Sequence, residues 1–155
     1  SLKHSNIPIK KTIINKTLKA ERKLKLDKVP TFNKFFKNIN NLKIRLNKIL
    51  NSIKNKNQNI HCYGASTKGN VLLQYFKINN RTISFVAERN KNKYGLFTPG
   101  TKIKIISEKT SRNLKPNYYL VLPWHFKNEI LKREKKAIKQ GIKFIFPLPN
   151  IKIVS

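Results

Sequence analysis

A chain of 155 residues with 39% hydrophobic residues is sized for one core, with room for an extra arm, and is too apolar to stay disordered throughout. The lone cysteine, Cys62, excludes an internal disulfide framework and any multi-cysteine zinc site. No apolar run approaches the ~18–20 residues that span a bilayer, so the expectation is a soluble protein of a reducing, cytoplasmic setting, without a membrane partner.

The formal net charge is +29. A charge of that size points to polyanions, nucleic acid among them. The lysines, however, come with abundant Asn and Ile, which share A/T-rich codons, and they are spread along the chain. Base composition accounts for the lysines better than for the total of six Asp and Glu. An ordinary basic surface is expected, with nucleic-acid binding as the alternative.

Residues 1–30 are polar and lysine-rich, punctuated by Pro8 and Pro30, and read as a basic arm or linker with a short helix over residues 17–26. His4 suggests no chemistry there. From Thr31 the pattern sharpens: Phe32, Phe35, Phe36, Ile39, Leu42, Leu46, Ile49, Leu50 and Ile53 recur at steps of three and four. That spacing predicts an amphipathic helix with a solvated Lys/Asn face. The polar run at residues 54–59 ends it.

Beyond the helix, apolar strands alternate with helical segments. "NIHCYG" predicts a strand and residues 70–76 a helix. "RTISFVAER" is a second strand, followed by a turn-rich connection through "NKNKYGLFTPGT" to the short strand "KIKII". "NYYLVLPW" is a strongly apolar strand. Residues 128–140 form a helix that Gly141 closes, and "KFIFPLP" is the last strand. The expected fold over residues 31–155 is therefore α/β, a Rossmann-like and mostly parallel sheet flanked by helices, preceded by a helical arm.

The segment "GASTKG", Gly64 to Gly69, joins a strand to a helix in the geometry that seats an anion on helix N–H groups. Against G-x-G-x-x-G, the middle glycine is Ser66. Gly64 allows a tight turn, and Gly69 allows close helix–strand packing. The Lys-Ser/Thr pair that ends a P-loop is replaced by Asn70-Val71, so magnesium–triphosphate chemistry is not supported. Glu88 ends the second strand roughly twenty residues on, where an acid can accept from a ribose; pairing with Arg89 is the other reading.

The strand ending in "LPWHF" brings Trp124 and His125 to a carboxyl edge, where ligands of such sheets bind. His125 is a candidate general base or phosphate donor, or a helix cap; Trp124 is read as core. His61 and Cys62, inside a strand, are read as structural. No carboxylate pair stands at acid–base spacing, and no cluster has metal spacing.

"YGASTKGNVLLQYF", "PGTKIKI", "YYLVLPWHFKNEI" and "GIKFIFPLP" together resemble the C-terminal domain of sugar C-methyltransferases, over about residues 21–149. The resemblance implies a three-part enzyme with a zinc domain, a middle domain for S-adenosylmethionine and a C-terminal Rossmann-like domain that binds no cofactor alone. It implies a nucleotide-diphosphate sugar, used in deoxysugar biosynthesis, lying between the last two parts. The opening "SLK" resembles the end of a middle domain, so a fragment or separate subunit is expected, partnered by a methyl-donor domain and not active by itself. The substrate contacts it implies are Gly64, Ala65, Ser66, Thr67, Lys68, Gly69 and Asn70, with Glu88, Thr101 and His125 as further candidates. Two positions depart from the family pattern: Glu88 replaces its Asp, and Asn117 replaces the Asp before the third family strand.

Overall fold

A computed structural model describes residues 11–155. The first ten residues of the expected arm, with His4 and Pro8, lie outside the described residues. The chain divides into two compact units between Asn40 and Asn41. The first contains helix α1 (Lys11–Leu24) and the opening turns of α2 (Val29–Asn55). Helix α1 is in place from Lys11, the first described residue and six before the expected position, and stops where Lys25 takes a left-handed conformation, φ 52°. Pro30 sits in the first turn of α2, where a missing N–H breaks no helical bond.

The apolar stripe of α2 is continuous in sequence but not in burial. Phe32, Phe35 and Phe36 are exposed, whereas Leu42, Leu46, Leu50 and Ile53, in the second unit, are buried. Asn47 Nδ2 donates to the Phe76 carbonyl at 3.0 Å and ties α2 to the end of α3 (Thr67–Phe76).

The second unit is built on one sheet: β1 (Ile60–Tyr63), β2 (Phe85–Glu88), β3 (Lys104–Ser107), β4 (Tyr118–Val121), β5 (Lys143–Phe146) and β6 (Lys152–Val154). Their order is β3-β2-β1-β4-β5-β6, parallel except for β6 against β5. This is the Rossmann-like α/β fold expected from the alternation. The strand order reverses between β1 and β4, which opens a crevice at their carboxyl ends.

Every residue of β1 is buried, as both faces of a parallel sheet are covered. On one face Tyr63, Tyr119, Val121, Phe144 and Phe146 form a cluster against Ile130 and Ala137. Trp124 packs on that cluster, in agreement with its reading as core. Cys62, Val86, Leu120 and Ile145 belong to the opposite face by the two-residue period.

Several elements differ from expectation. Residues 81–82 are turn and 83–84 lie outside the strand, so β2 is shorter than "RTISFVAER" suggested. The helix expected over 128–140 is two, α5 (Lys127–Arg133) and α6 (Lys135–Lys139), parted at Glu134. Its side chain is turned inward to a buried network, and its backbone leaves helical geometry at φ −95°, ψ 15°. Helix α4 (Glu108–Asn113) was not legible from apolar spacing. Its start is set by Ser107, whose Oγ accepts from Thr110 N at 3.0 Å. Asn117, despite its lost charge, accepts from Asn59 N at 2.8 Å and aligns the entries of β1 and β4.

Candidate functional site

At the strand reversal, a cleft of about 470 Å³ is walled by the ends of β1 and β2, the start of α4, Pro123 and α5. A second cleft of about 330 Å³ adjoins it across the glycine turn, between α3 and residues 96–99. Ala65, Ser66 and Lys93 line both.

The turn between them is fixed atom by atom. Gly64 has φ +78°, and a Cβ there would meet Pro123 Cδ at 3.0 Å, so both conformation and space require glycine. The Ala65 peptide groups are clasped from the β2 side. Its N–H donates to Glu88 Oε2 at 2.7 Å, and its carbonyl accepts from Lys93 Nζ at 2.8 Å. Ser66 caps α3, its Oγ accepting from Gly69 N at 3.0 Å. A Cβ on Gly69 would lie 2.4 Å from Leu122 Cβ, so this glycine allows α3 to pack against the end of β4, as its position in the fingerprint suggested.

Glu88 is deeply engaged. Oε1 accepts from Arg89 N at 2.7 Å and Asn90 N at 2.9 Å, in addition to the Ala65 bond on Oε2. Partial burial alone would raise its pKa, but the three N–H donors and Lys93 outweigh that and lower it. Its acceptors hold the loop after β2 against the turn after β1, and the ion pair it makes is with Lys93, at 3.9 Å, instead of Arg89.

Beneath the larger cleft runs a polar network. Buried Glu134 accepts from Tyr63 OH at 2.8 Å, from Arg112 Nη2 at 2.8 Å and from Arg133 Nε at 3.1 Å. Arg112 and Arg133 also reach Glu108, and Arg133 lies over the Tyr63 ring, 5.2 Å from its centroid. Burial raises the Glu108 pKa, against the pull of Arg112. Deeper still, His61 Nδ1 and Tyr119 OH each sit 2.8 Å from Ser111 Oγ. Burial lowers the His61 pKa to about 4 and pushes the Cys62 thiol up, so at neutral pH the imidazole is uncharged and the thiol protonated.

The smaller cleft is mostly apolar, with Leu96, Phe97, Pro99, Ile105 and Leu122 in its walls. Ser66, Thr67, Lys93, Thr98 and Asn70 supply its polar lining, and the buried Asn70 Oδ1 has no donor among the described residues. Residues 95–98 are tied to residues 102–105, at the entry of β3, by four backbone bonds, including Ile105 N to Leu96 O at 2.8 Å and Thr98 N to Ile103 O at 2.9 Å. Gln74 Nε2 ties this wall to α3 by donating to Pro99 O at 3.1 Å.

Of the residues singled out in the sequence, Gly64, Ala65 and Ser66 line the larger cleft with Glu88, and Thr67 and Asn70 line the smaller. Lys68 is exposed and Gly69 buried, and neither lines either of these two clefts. Thr101 is buried and closes the turn below Phe97, its hydroxyl 2.6 Å from that of Thr98. His125 is exposed, makes no cap, and places its ring 4.3 Å from Phe126, outside both clefts.

Sequence reasoning missed Glu108, Glu129, Glu134, Arg133 and Phe97. The acids had a readable signal: of six in the chain, Glu88, Glu108 and Glu129 line the larger cleft and Glu134 lies beneath it. No group of three or more His, Cys, Asp or Glu among the described residues could hold a metal ion, and no described helix is long and apolar enough to cross a membrane.

Residues 2–149 match the family model described as the C-methyltransferase C-terminal domain. A stretch of 93 residues is 36% identical to the C-methyltransferase NovU of Streptomyces niveus; it makes up 60% of this chain and 22% of that protein. The chain thus matches about a fifth of its relative's length. With the Rossmann-like sheet and the glycine turn at its reversal, the match across nearly the whole sequence leads to one conclusion: the chain belongs to the C-methyltransferase C-terminal domain family.

Proposed function

We propose that this domain is the substrate-side lobe of a sugar C-methyltransferase that uses S-adenosylmethionine, and that it holds a nucleotide-diphosphate sugar while another domain or chain carries the methyl donor. The observation that carries the reading is the pair of clefts joined at one helix N-terminus, a layout suited to a ligand with two unlike ends and an anionic centre. The Thr67 and Lys68 N–H groups, in the first turn of α3, are orphan donors that favour negative charge, and exposed Lys68 adds a point charge beside them.

The same reading places the methyl donor away from this turn. In a Rossmann cofactor site the acid at the end of the second strand offers its oxygens to ribose hydroxyls. Here three backbone N–H groups already bond the two Glu88 oxygens. Glu88 therefore serves as a positioning residue for the turn, and the methyl donor is assigned to a different domain.

Calorimetric titration with thymidine diphosphate tests the reading, with pyrophosphate and a short single-stranded RNA as controls at about 150 mM salt, where the Debye length is about 8 Å. Saturable nucleotide binding, clearly tighter than pyrophosphate, is the expected result. Binding of RNA without the nucleotide, falling steeply with added salt, would replace it with a function of the +29 charge.

A further inference from the structure

Helix α1 and the first turns of α2 lack what stabilises most helices in water, a covered apolar face. From residue 13 to residue 40 no side chain is buried. Yet the apolar stripe of α2 begins there at full strength, with Val29, Phe32, Phe35 and Phe36 at steps of three and four. Val29, Phe35 and Phe36 are more than half exposed, and Phe32 is about half exposed. Farther along the same helix, Leu42, Leu46 and Leu50 continue the stripe and are buried. An uncovered aromatic run of this kind marks a surface that a partner covers.

The border of the stripe states which partner fits. At ~100° per residue, Thr31 and Asn38 edge it on one side and Asn33 on the other, while Lys34 and Lys37 fall on the far side of the helix. A seat for an acidic protein would set its cations around the apolar centre, where they steer and pair. Here the border is neutral. Its amides and hydroxyl both donate and accept, so the border is complementary to a copy of itself. Phe35 and Phe36 already meet edge to face, with centroids 5.9 Å apart, and so offer a second such pair both a ring face and a ring edge. A patch that matches itself is what a two-fold axis requires, because the same residues then serve both sides.

We propose that the exposed start of α2 is a self-association surface, on which two copies of the chain pair about a two-fold axis near Phe35 and Phe36. The contact is small. Three half-exposed phenylalanines offer on the order of 300 Å² per copy, from the ~200 Å² that one such side chain can bury. With Val29 and the border, the pair hides on the order of 1,000 Å² in total, the low end for specific association. The dimer is therefore weak and reversible, and the +29 charge on each copy opposes it at long range.

Sedimentation equilibrium on the full chain tests the proposal, from about 1 μM to about 1 mM, a span that brackets a Kd on the order of tens of micromolar. The mass should climb from the 18.2 kDa of one chain toward twice that value. Raising sodium chloride from about 150 mM to about 1 M shortens the Debye length from about 8 Å to about 3 Å and should tighten the dimer several-fold. Phe35→Asp, which places an unpaired charge in the seam, should weaken it at least about thirtyfold. Lys34→Ser, on the far side, should leave it within about threefold. Circular dichroism checks that both variants keep their helices, and the salt series on the unaltered chain needs no variant. A chain that stays monomeric at about 1 mM in either salt overturns the proposal. So does a dimer that Phe35→Asp leaves intact, which would form elsewhere, or one that added salt dissociates, which would be held by charge.

Discussion

The two clefts on either side of Ala65 and Ser66 solve opposite problems. In the larger one the charged groups are largely spent on each other: Glu134 on Tyr63, Arg112 and Arg133, Glu108 on the same arginines, and Glu88 on three backbone donors. In the smaller one the apolar walls are exposed and the one orphaned acceptor, Asn70 Oδ1, waits without a donor. The difference teaches that charge near a cleft is not the same as charge offered to a ligand. Much of the polar cleft's chemistry is mortar for the fold, whereas the smaller cleft keeps a buried acceptor with no protein donor among the described residues.

The largest effect that would test this contrast is on acid stability. The folded-state pKa of His61 is about 4, below the ordinary value of 6.5. Between those values the unfolded chain binds a proton that the folded chain refuses, so stability is complete above pH 6.5 and falls as pH drops toward 4. On the order of 3 kcal/mol should be lost by pH 4, seen as a falling urea midpoint. His61→Gln, which takes up no proton, should remove that part of the slope; an unchanged slope would show that His61 is not the titrating group beneath the cleft.

Next in size is Glu134→Ala. It strips a hydrogen bond from Tyr63 and one carboxylate from two arginines, whose side chains are 41% and 37% exposed. Water can therefore take over part of their solvation, and the expected loss is about 2 kcal/mol, below the range for a fully buried pair. Denaturant titration of the variant against the unaltered protein measures it. A loss near zero would mean that the acids of the polar cleft are available for other work.

The smallest expected effect is on the apolar side. Phe97→Ala should change unfolding free energy by no more than about 0.5 kcal/mol, since the ring is 59% exposed and its backbone is held without it. A loss of 2 kcal/mol or more in the same denaturant measurement would make Phe97 a packing residue and erase the distinction between the two clefts.

How much of this was legible beforehand depends on whether the signal was local. The glycine turn could be read residue by residue, because a positive φ at Gly64 and the close approach at Gly69 are demands of one strand–turn–helix segment. Glu88 was placed at the right edge, but its partners were not, because Ala65 lies 23 residues away in sequence. The expected single helix over 128–140 missed its break because periodicity does not report that Glu134 turns toward a tyrosine 71 residues earlier. Phe97 sat unremarked in a turn-rich stretch, since only pairing with β3 fixes it beside α3.

The sequence by itself determined the α/β alternation, the glycine turn between β1 and α3 and the family, all of which follow from local spacing and ordered motifs. Only the tertiary structure decided which charges are spent and which cleft remains open. The order β3-β2-β1-β4-β5-β6 brings four of the chain's six acids to one place from segments scattered over residues 88–134. Hydrogen bonds and ion pairs act over a few ångströms in space, whatever the distance along the chain, and so their closure is settled only when the sheet is assembled.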